Sequence, residues 1–195
     1  MDEKTIAVYD AQAVKYADLM AHEKKDPLLT AFIAALPKGA TALDLGCGPG
    51  WAAGEMARAG LAVTATDASA EMVAMTAKLP GVTAMLADFD QITGQNLYDG
   101  IWANFSLLHA PRADMPRHLA ALVRALKPGG RFHIALKTGS GEQRDTIGRL
   151  YTFFTIDELD GLLTAAGLTV TGTTTGEGPG LDGTISPWFA MSAHG

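Results

Sequence analysis

Three aspartates stand where the sequence could do chemistry. Asp44, Asp67 and Asp88 each fall at or beside the end of a short apolar run, in "TALDL", "LAVTATD" and "VTAMLAD". Between the first two lies "GCGPG", in which Gly46, Gly48 and Gly50 carry the chain from one run into alanine-rich sequence. Glycine permits positive φ and lets a ligand approach the backbone with no Cβ in the way. A helix opening at Trp51 would add free N–H groups and a partial positive charge at the same place. Asp67, 21 residues after Gly46, can accept both hydroxyls of a ribose. Asp88, followed by Phe89, offers an acceptor for an exocyclic amine beside a flat apolar face. Asp44 lies two residues before the first glycine, where a carboxylate meets a cationic group or fixes the loop and repels a pyrophosphate.

Several ligands could use such a bend. A P-loop needs Gly-Lys-Ser/Thr, and the chain contains no Gly-Lys pair. A dinucleotide is the serious rival, because "GPGWAA" at 48–53 satisfies G-x-G-x-x-A and Asp67 would serve either ligand. Asp44 and the Asp88–Phe89 pair favour an adenosyl ligand with a cationic, zwitterionic tail. The expectation that 195 residues leave no room for a second, substrate-holding domain points the same way. S-adenosylmethionine has that description.

The elements that would position these residues can be read from the apolar periodicity. Helical spacing covers 5–20, through Ile6, Tyr9, Ala13, Tyr16 and Met20, and a second helix covers 27–36. Strands at 41–45, 61–67, 82–88 and 98–106 then alternate with helices at 51–59, 69–79 and 112–126. "KPGG" stops the last of these, and "RFHIALK" is a fifth strand. Thr155 and Glu158 form a capping box for a helix through Ala166, and two final strands cover 168–175 and 187–193. Such alternation predicts a mostly parallel sheet covered on both faces, which binds ligands beyond the carboxyl ends of its strands.

Composition sets the outer limits. Nearly half the residues are apolar (48%), so the chain folds, and its length suits one domain. Lys and Arg total 15 against 21 Asp and Glu, a net charge of −6 that argues against a nucleic-acid partner. The single cysteine, Cys47, excludes a disulfide framework and a cysteine zinc cluster. His22, His118, His133 and His194 show no metal-ligand spacing, so no metal is expected. "MDEKTIAVYD" lacks a basic leader, and the longest apolar stretch is about half a bilayer span. A cytoplasmic protein with no membrane partner is expected, its oligomeric state left open.

Taken together, "LDLGCGPG", "TATDAS", "LADFD", "NFSLLHAP" and "ALKPGGRFHIALK" resemble, in order and spacing, the motifs of class I S-adenosylmethionine-dependent methyltransferases. The resemblance covers roughly residues 9 to 170. It implies a Rossmann-like seven-stranded sheet in the order 3-2-1-4-5-7-6 with strand 7 antiparallel, forming a single domain over 1–195 with residues 1–38 as a helical cap on a 39–195 core. It further implies that Gly46, Gly48 and Gly50, with Cys47 nearby, line the methionine part of the cofactor. Asp67 would hold the ribose, Ala68 and Met72 would pack on the adenine, and Asp88 and Phe89 would bracket its amine. Asn104 and the backbone through Leu107 would lie under the methionine tail, and Tyr16 would close the site.

Each candidate also has a plainer reading. Cys47 reads as a small buried residue, since no base stands beside it. His109 suits proton removal near the departing methyl, yet a histidine there also caps the turn before Pro111. Tyr9 and Tyr16 can merely pack their helix on the body, and Met72 can be core. The long polar stretch 137–154 places Lys137, Glu142, Arg144, Arg149 and Tyr151 either over a substrate or in a solvated loop. The expected reaction is methyl transfer to a small molecule by in-line displacement. The alternatives are a small NAD(P)-dependent oxidoreductase and a non-catalytic module that binds an adenosyl cofactor.

Overall fold

The structure, a computed structural model, describes residues 2–20 and 26–195, excluding the side chain of Met20. His22 therefore lies outside the described residues. Three helices come first: α1 (Glu3–Ala11), α2 (Ala13–Met20) and α3 (Pro27–Ala34). Asp26 caps α3 by accepting from Leu28 N, and Pro27 sits in its first turn, where its missing N–H costs nothing.

The sheet alternates with helices from there. Strand β1 (Thr41–Leu45) leads into α4 (Trp51–Arg58), β2 (Ala62–Asp67) into α5 (Ala70–Thr76), and β3 (Val82–Leu86) into β4 (Tyr98–Asn104). Helix α6 (Met115–Ala125) precedes β5 (Leu126–Lys137), a two-stranded hairpin of β6 (Glu142–Arg144) and β7 (Leu150–Thr152), helix α7 (Ile156–Ala165), β8 (Thr169–Pro179) and β9 (Ile185–His194). The large sheet runs β3-β2-β1-β4-β5-β9-β8, with β9 antiparallel to both neighbours. Leaving the hairpin out of the count, this is the expected order 3-2-1-4-5-7-6.

Strand β1 is buried on both sides from Ala42 to Leu45, which is why its sequence does not alternate. One face carries a core of Leu43, Ile101, Phe132, Leu119, Leu159 and their neighbours under α6 and α7. The other packs Leu29, Phe32, Met56, Val63 and Trp102 beneath α3 and α4.

Four local expectations are corrected. The helix over 5–20 is two helices, because Gln12 leaves helical geometry (φ −115, ψ 17). In a straight helix Tyr9 and Tyr16 would stand about 10 Å apart along the axis; the break brings their ring centroids to 5.5 Å. Residues 126–130 belong to β5: Leu126 pairs with Tyr98 before a register shift, so the breakers end α6 without ending the pairing. Within 137–154, the hairpin pairs Glu142 to Arg144 with Leu150 to Thr152. Finally, β8 runs on to Pro179 rather than ending at 175, because backbone pairing with β9 does not depend on apolar side chains.

Candidate active site

The sheet reverses direction of travel between β1 and β4, and the ends of β1, β2 and β4 open a cleft there. Gly46 and Cys47 both donate from their backbone N–H to Thr66 O, which folds the bend against β2. Gly46 has φ +70, and a Cβ there would stand 2.4 Å from Ser106 Cβ. Gly48, at φ +54, lines the cleft and donates its N–H to Asp67 Oδ2 at 2.8 Å. The other oxygen of Asp67 accepts from Ser69 N at 2.9 Å, and burial pushes its pKa up. A carboxylate so placed ties the first bend to the second strand and keeps lone pairs for a ligand.

Asp44 is behind this bend rather than on its wall. It is buried, and Ala53 N–H bonds to its carboxyl, supplying α4 with the side-chain cap that Gly50 cannot give. Burial raises its pKa to about 7. Its Oδ2 has no partner, and neither do Thr66 Oγ1 and Ser106 Oγ. Of these three buried, orphaned polar atoms, only Ser106 Oγ belongs to a residue on the cleft wall.

The structure brings Tyr16, Gly46, Gly48, Asp67, Ala68, Met72, Phe89 and Asn104 together on the cleft, along with Tyr9 and His109. It sets other expected residues off the wall. Gly50 faces Thr76 and Leu79, where a Cβ would come within 2.6 Å of Thr76 Oγ1. Cys47 is buried with its thiol pushed up by desolvation, its Sγ beside Thr76. Asp88 caps the turn at 89–91 by accepting from Asp90 N, and Leu107 is core. Ala87, which the sequence reading did not single out, and Phe105 and Ser106, which it took only as backbone, complete the wall. Phe105 holds φ +53, a strained conformation for a side chain of that size, in the middle of "NFS". Asn104 Oδ1 lies 3.1 Å from His133 Nε2; with the proton on that nitrogen, the amide NH2 is the end left for the cleft. Burial lowers the pKa of His133 to about 3, so the ring stays neutral.

A larger chamber of about 660 Å³ adjoins the cleft. Lys137, Arg149 and Tyr151 line it, together with Leu108, Leu181 and Trp188. Glu142 and Arg144 do not: Glu142 accepts from Arg112 N, and Arg144 pairs with Asp2 at 2.8 Å. Across the chamber runs a chain of hydrogen bonds. Arg149 Nη1 donates to Tyr9 Oη at 2.8 Å, Tyr9 Oη lies 2.9 Å from His109 Nε2, and His109 Nδ1 lies 2.6 Å from Leu150 O. One proton arrangement satisfies every link: Nδ1–H donates to Leu150 O, and Nε2 accepts from Tyr9. Burial lowers the pKa of His109 to about 3, which keeps that tautomer neutral.

Residues 42–130 match a family described as a methyltransferase domain. The fold is the class I methyltransferase fold. Among curated proteins it is 36% identical over 108 residues to the S-adenosyl-L-methionine-dependent Diels-Alderase of Talaromyces variabilis, spanning 50% of this chain and 36% of that one. It is 33% identical over 105 residues to the ubiquinone biosynthesis O-methyltransferase of Xanthomonas oryzae pv. oryzae, spanning 50% and 43%. The matches thus cover less than half of either relative. Its structure superposes with a TM-score of 0.80, at 25% identity, on 1,6-didemethyltoxoflavin-N1-methyltransferase of Burkholderia thailandensis, over 98% of this chain and 87% of that one. That protein was solved with 1,6-didemethyltoxoflavin and S-adenosylhomocysteine bound. The chain thus resembles the class I S-adenosylmethionine-dependent methyltransferases in fold and, over residues 42–130, in sequence.

Among the described residues, no group of His, Cys, Asp and Glu could hold a metal ion, and no helix is long and apolar enough to cross a membrane.

Proposed function

We propose that this chain binds S-adenosylmethionine in the glycine-lined cleft and transfers its methyl group to a small molecule in the chamber. The shared wall carries the reading: Tyr9, Tyr16, Asn104, Phe105 and His109 line both cavities, so their contents would meet across one strip of side chains. When bound, S-adenosylmethionine supplies a methyl group on a sulfonium whose leaving group is neutral. The protein's part is therefore position and dryness, and orientation can supply about 7–11 kcal/mol. Gly46 and Gly48 would leave the backbone open to the methionine portion, and Asp67 would accept from the ribose. Ala68, Met72 and Phe89 would pack on the adenine, with Ser106 Oγ and the Asn104 amide as polar contacts.

His109 is better placed to orient Tyr9 than to take a proton, because Nε2 already holds the tyrosine hydroxyl. The cleft measures about 50 Å³ in this state, well below the roughly 300–1,000 Å³ of ligand sites. Tyr16, whose ring stands over Gly48, would have to swing out to admit the cofactor. On this reading residues 1–38 are a cap on a 39–195 core, the setting is cytoplasmic, and the net charge of −6 supports a small-molecule acceptor over nucleic acid.

One relative's name supports a second reading. The Talaromyces protein is named a Diels-Alderase, so an adenosyl site of this kind can serve something other than methyl transfer. Calorimetry on the purified chain separates the possibilities. S-adenosylhomocysteine should bind and NADPH should not, and Asp67→Ala should cost the former about 1–3 kcal/mol. No binding of S-adenosylhomocysteine ends the proposal. Binding without its release from S-adenosylmethionine over a broad acceptor panel favours the second reading.

A further inference from the structure

The chamber is lined by two cations whose donors the protein leaves incompletely satisfied. Arg149 is 1% exposed, so its guanidinium is charged and almost wholly removed from solvent. Its Nε donates to Asp145 Oδ2 at 2.8 Å and its Nη1 to Tyr9. Its Nη2 also lies 2.8 Å from Asp145 Oδ2, yet it makes no directed hydrogen bond. Asp145 offsets the charge of Arg149, but Nη2 is left without a directed acceptor, which is costly for a buried donor. Arginine cannot escape the cost by losing its proton.

Lys137 faces the same chamber. Its Nζ rests 4.1 Å above the Tyr151 ring, and burial lowers its pKa. Asp182 is near enough to act on it electrostatically but makes no ion pair with it. The acids on the chamber wall do not answer these cations. Asp26 is spent on the cap of α3, and Glu177 is exposed on the outer strand. Much of the remaining surface is flat and aromatic: Tyr9, Tyr151, and the edge-to-face pair of Phe105 and Trp188 at 5.8 Å. The chamber's described histidine is not free to remove a proton, since His109 Nε2 is occupied by Tyr9.

Resting on the reading of the site above, we propose that the chamber selects a flat organic anion, its charged group held by Arg149 and Lys137 and its ring between the aromatic walls. The orphaned Nη2 and the unpaired ammonium are the donors that such an anion would satisfy. An acceptor that arrives already deprotonated also needs no base from the protein. A volume of about 660 Å³ suits a molecule of one to three fused rings.

The test uses the full chain saturated with S-adenosylhomocysteine, whose binding is measured first and by itself. Benzoate, 2-naphthoate and indole-3-acetate are then titrated, each against its neutral amide of nearly the same shape. At least one acid should bind about tenfold more tightly than its amide. Lys137→Met should weaken that acid about threefold to tenfold, as for a partly screened ion pair, and leave the amide and S-adenosylhomocysteine unchanged. Arg149→Lys should weaken it further by losing the fork, and if that variant fails to fold, Lys137→Met decides alone. Amides binding as well as acids, no acid binding at all, or an acid indifferent to Lys137→Met would each overturn the proposal. Absent binding of S-adenosylhomocysteine would instead strike the reading of the cleft.

Discussion

Asp44→Asn is the sharpest test of how the glycine bend is supported. The substitution is nearly isosteric, keeps an oxygen for the Ala53 N–H, and removes a charge from a site 3% exposed. The native pKa is about 7 against an ordinary 3.8, chiefly through desolvation, with the Asp67 carboxylate adding to the rise. At about 1.4 kcal/mol per decade of proton affinity, that gap caps the effect at about 4 kcal/mol. The sign follows from the direction of the gap. The fold favours the protonated acid, so this group's contribution is full below about pH 4 and is lost as pH rises through 7. The variant has no such loss.

Its amide NH2 replaces the orphaned Oδ2, a cost of about 1–3 kcal/mol that does not vary with pH. Asp44→Asn should therefore gain on the wild type from pH 4.5 to about 7 and level off by 8.5, by about 3 kcal/mol in all, or roughly 6–12 °C in Tm. His109 and His133, with pKa values lowered to about 3, impose the opposite slope, losing stability as pH falls below their ordinary 6.5. They do so in both proteins, so the difference between the two melts isolates Asp44. A difference that stays constant over this range, or narrows as pH rises, would refute the reasoning.

Two further substitutions probe the geometry. Gly46→Ala places a Cβ 2.4 Å from Ser106 Cβ at φ +70, whereas Gly60→Ala, at φ +88, meets nothing within 4 Å. Urea melts should show a loss of about 1–2 kcal/mol at Gly60 from the left-handed backbone alone, and about 2–5 at Gly46 where overpacking adds to it; equal losses would contradict the close approach. Tyr9→Phe strips a partner from both His109 Nε2 and Arg149 Nη1, and should cost about 1–3 kcal/mol in the same assay. A loss below about 0.5 kcal/mol would mean that the chain of bonds across the chamber does not hold the fold.

What could be read from the sequence was local in its physics. The three-glycine bend, the start of α3 at Pro27 and the Thr155–Glu158 capping box all state their backbone geometry within a few residues. The alternation of strands and helices then decides the sheet, because parallel strands need crossovers and buried faces. From this came the fold and the group of cleft residues around Asp67. The chamber was legible only as a list of residue types. Tyr9, His109 and Arg149 are joined by hydrogen bonds spanning 100 and 140 residues, and no spacing rule connects them. The break at Gln12, the positive φ of Phe105, and the position of Asp44 behind the bend were likewise set by tertiary packing. Local sequence fixes which backbone shapes are cheap. Which distant side chains must share one buried space is decided only when the whole chain closes around them.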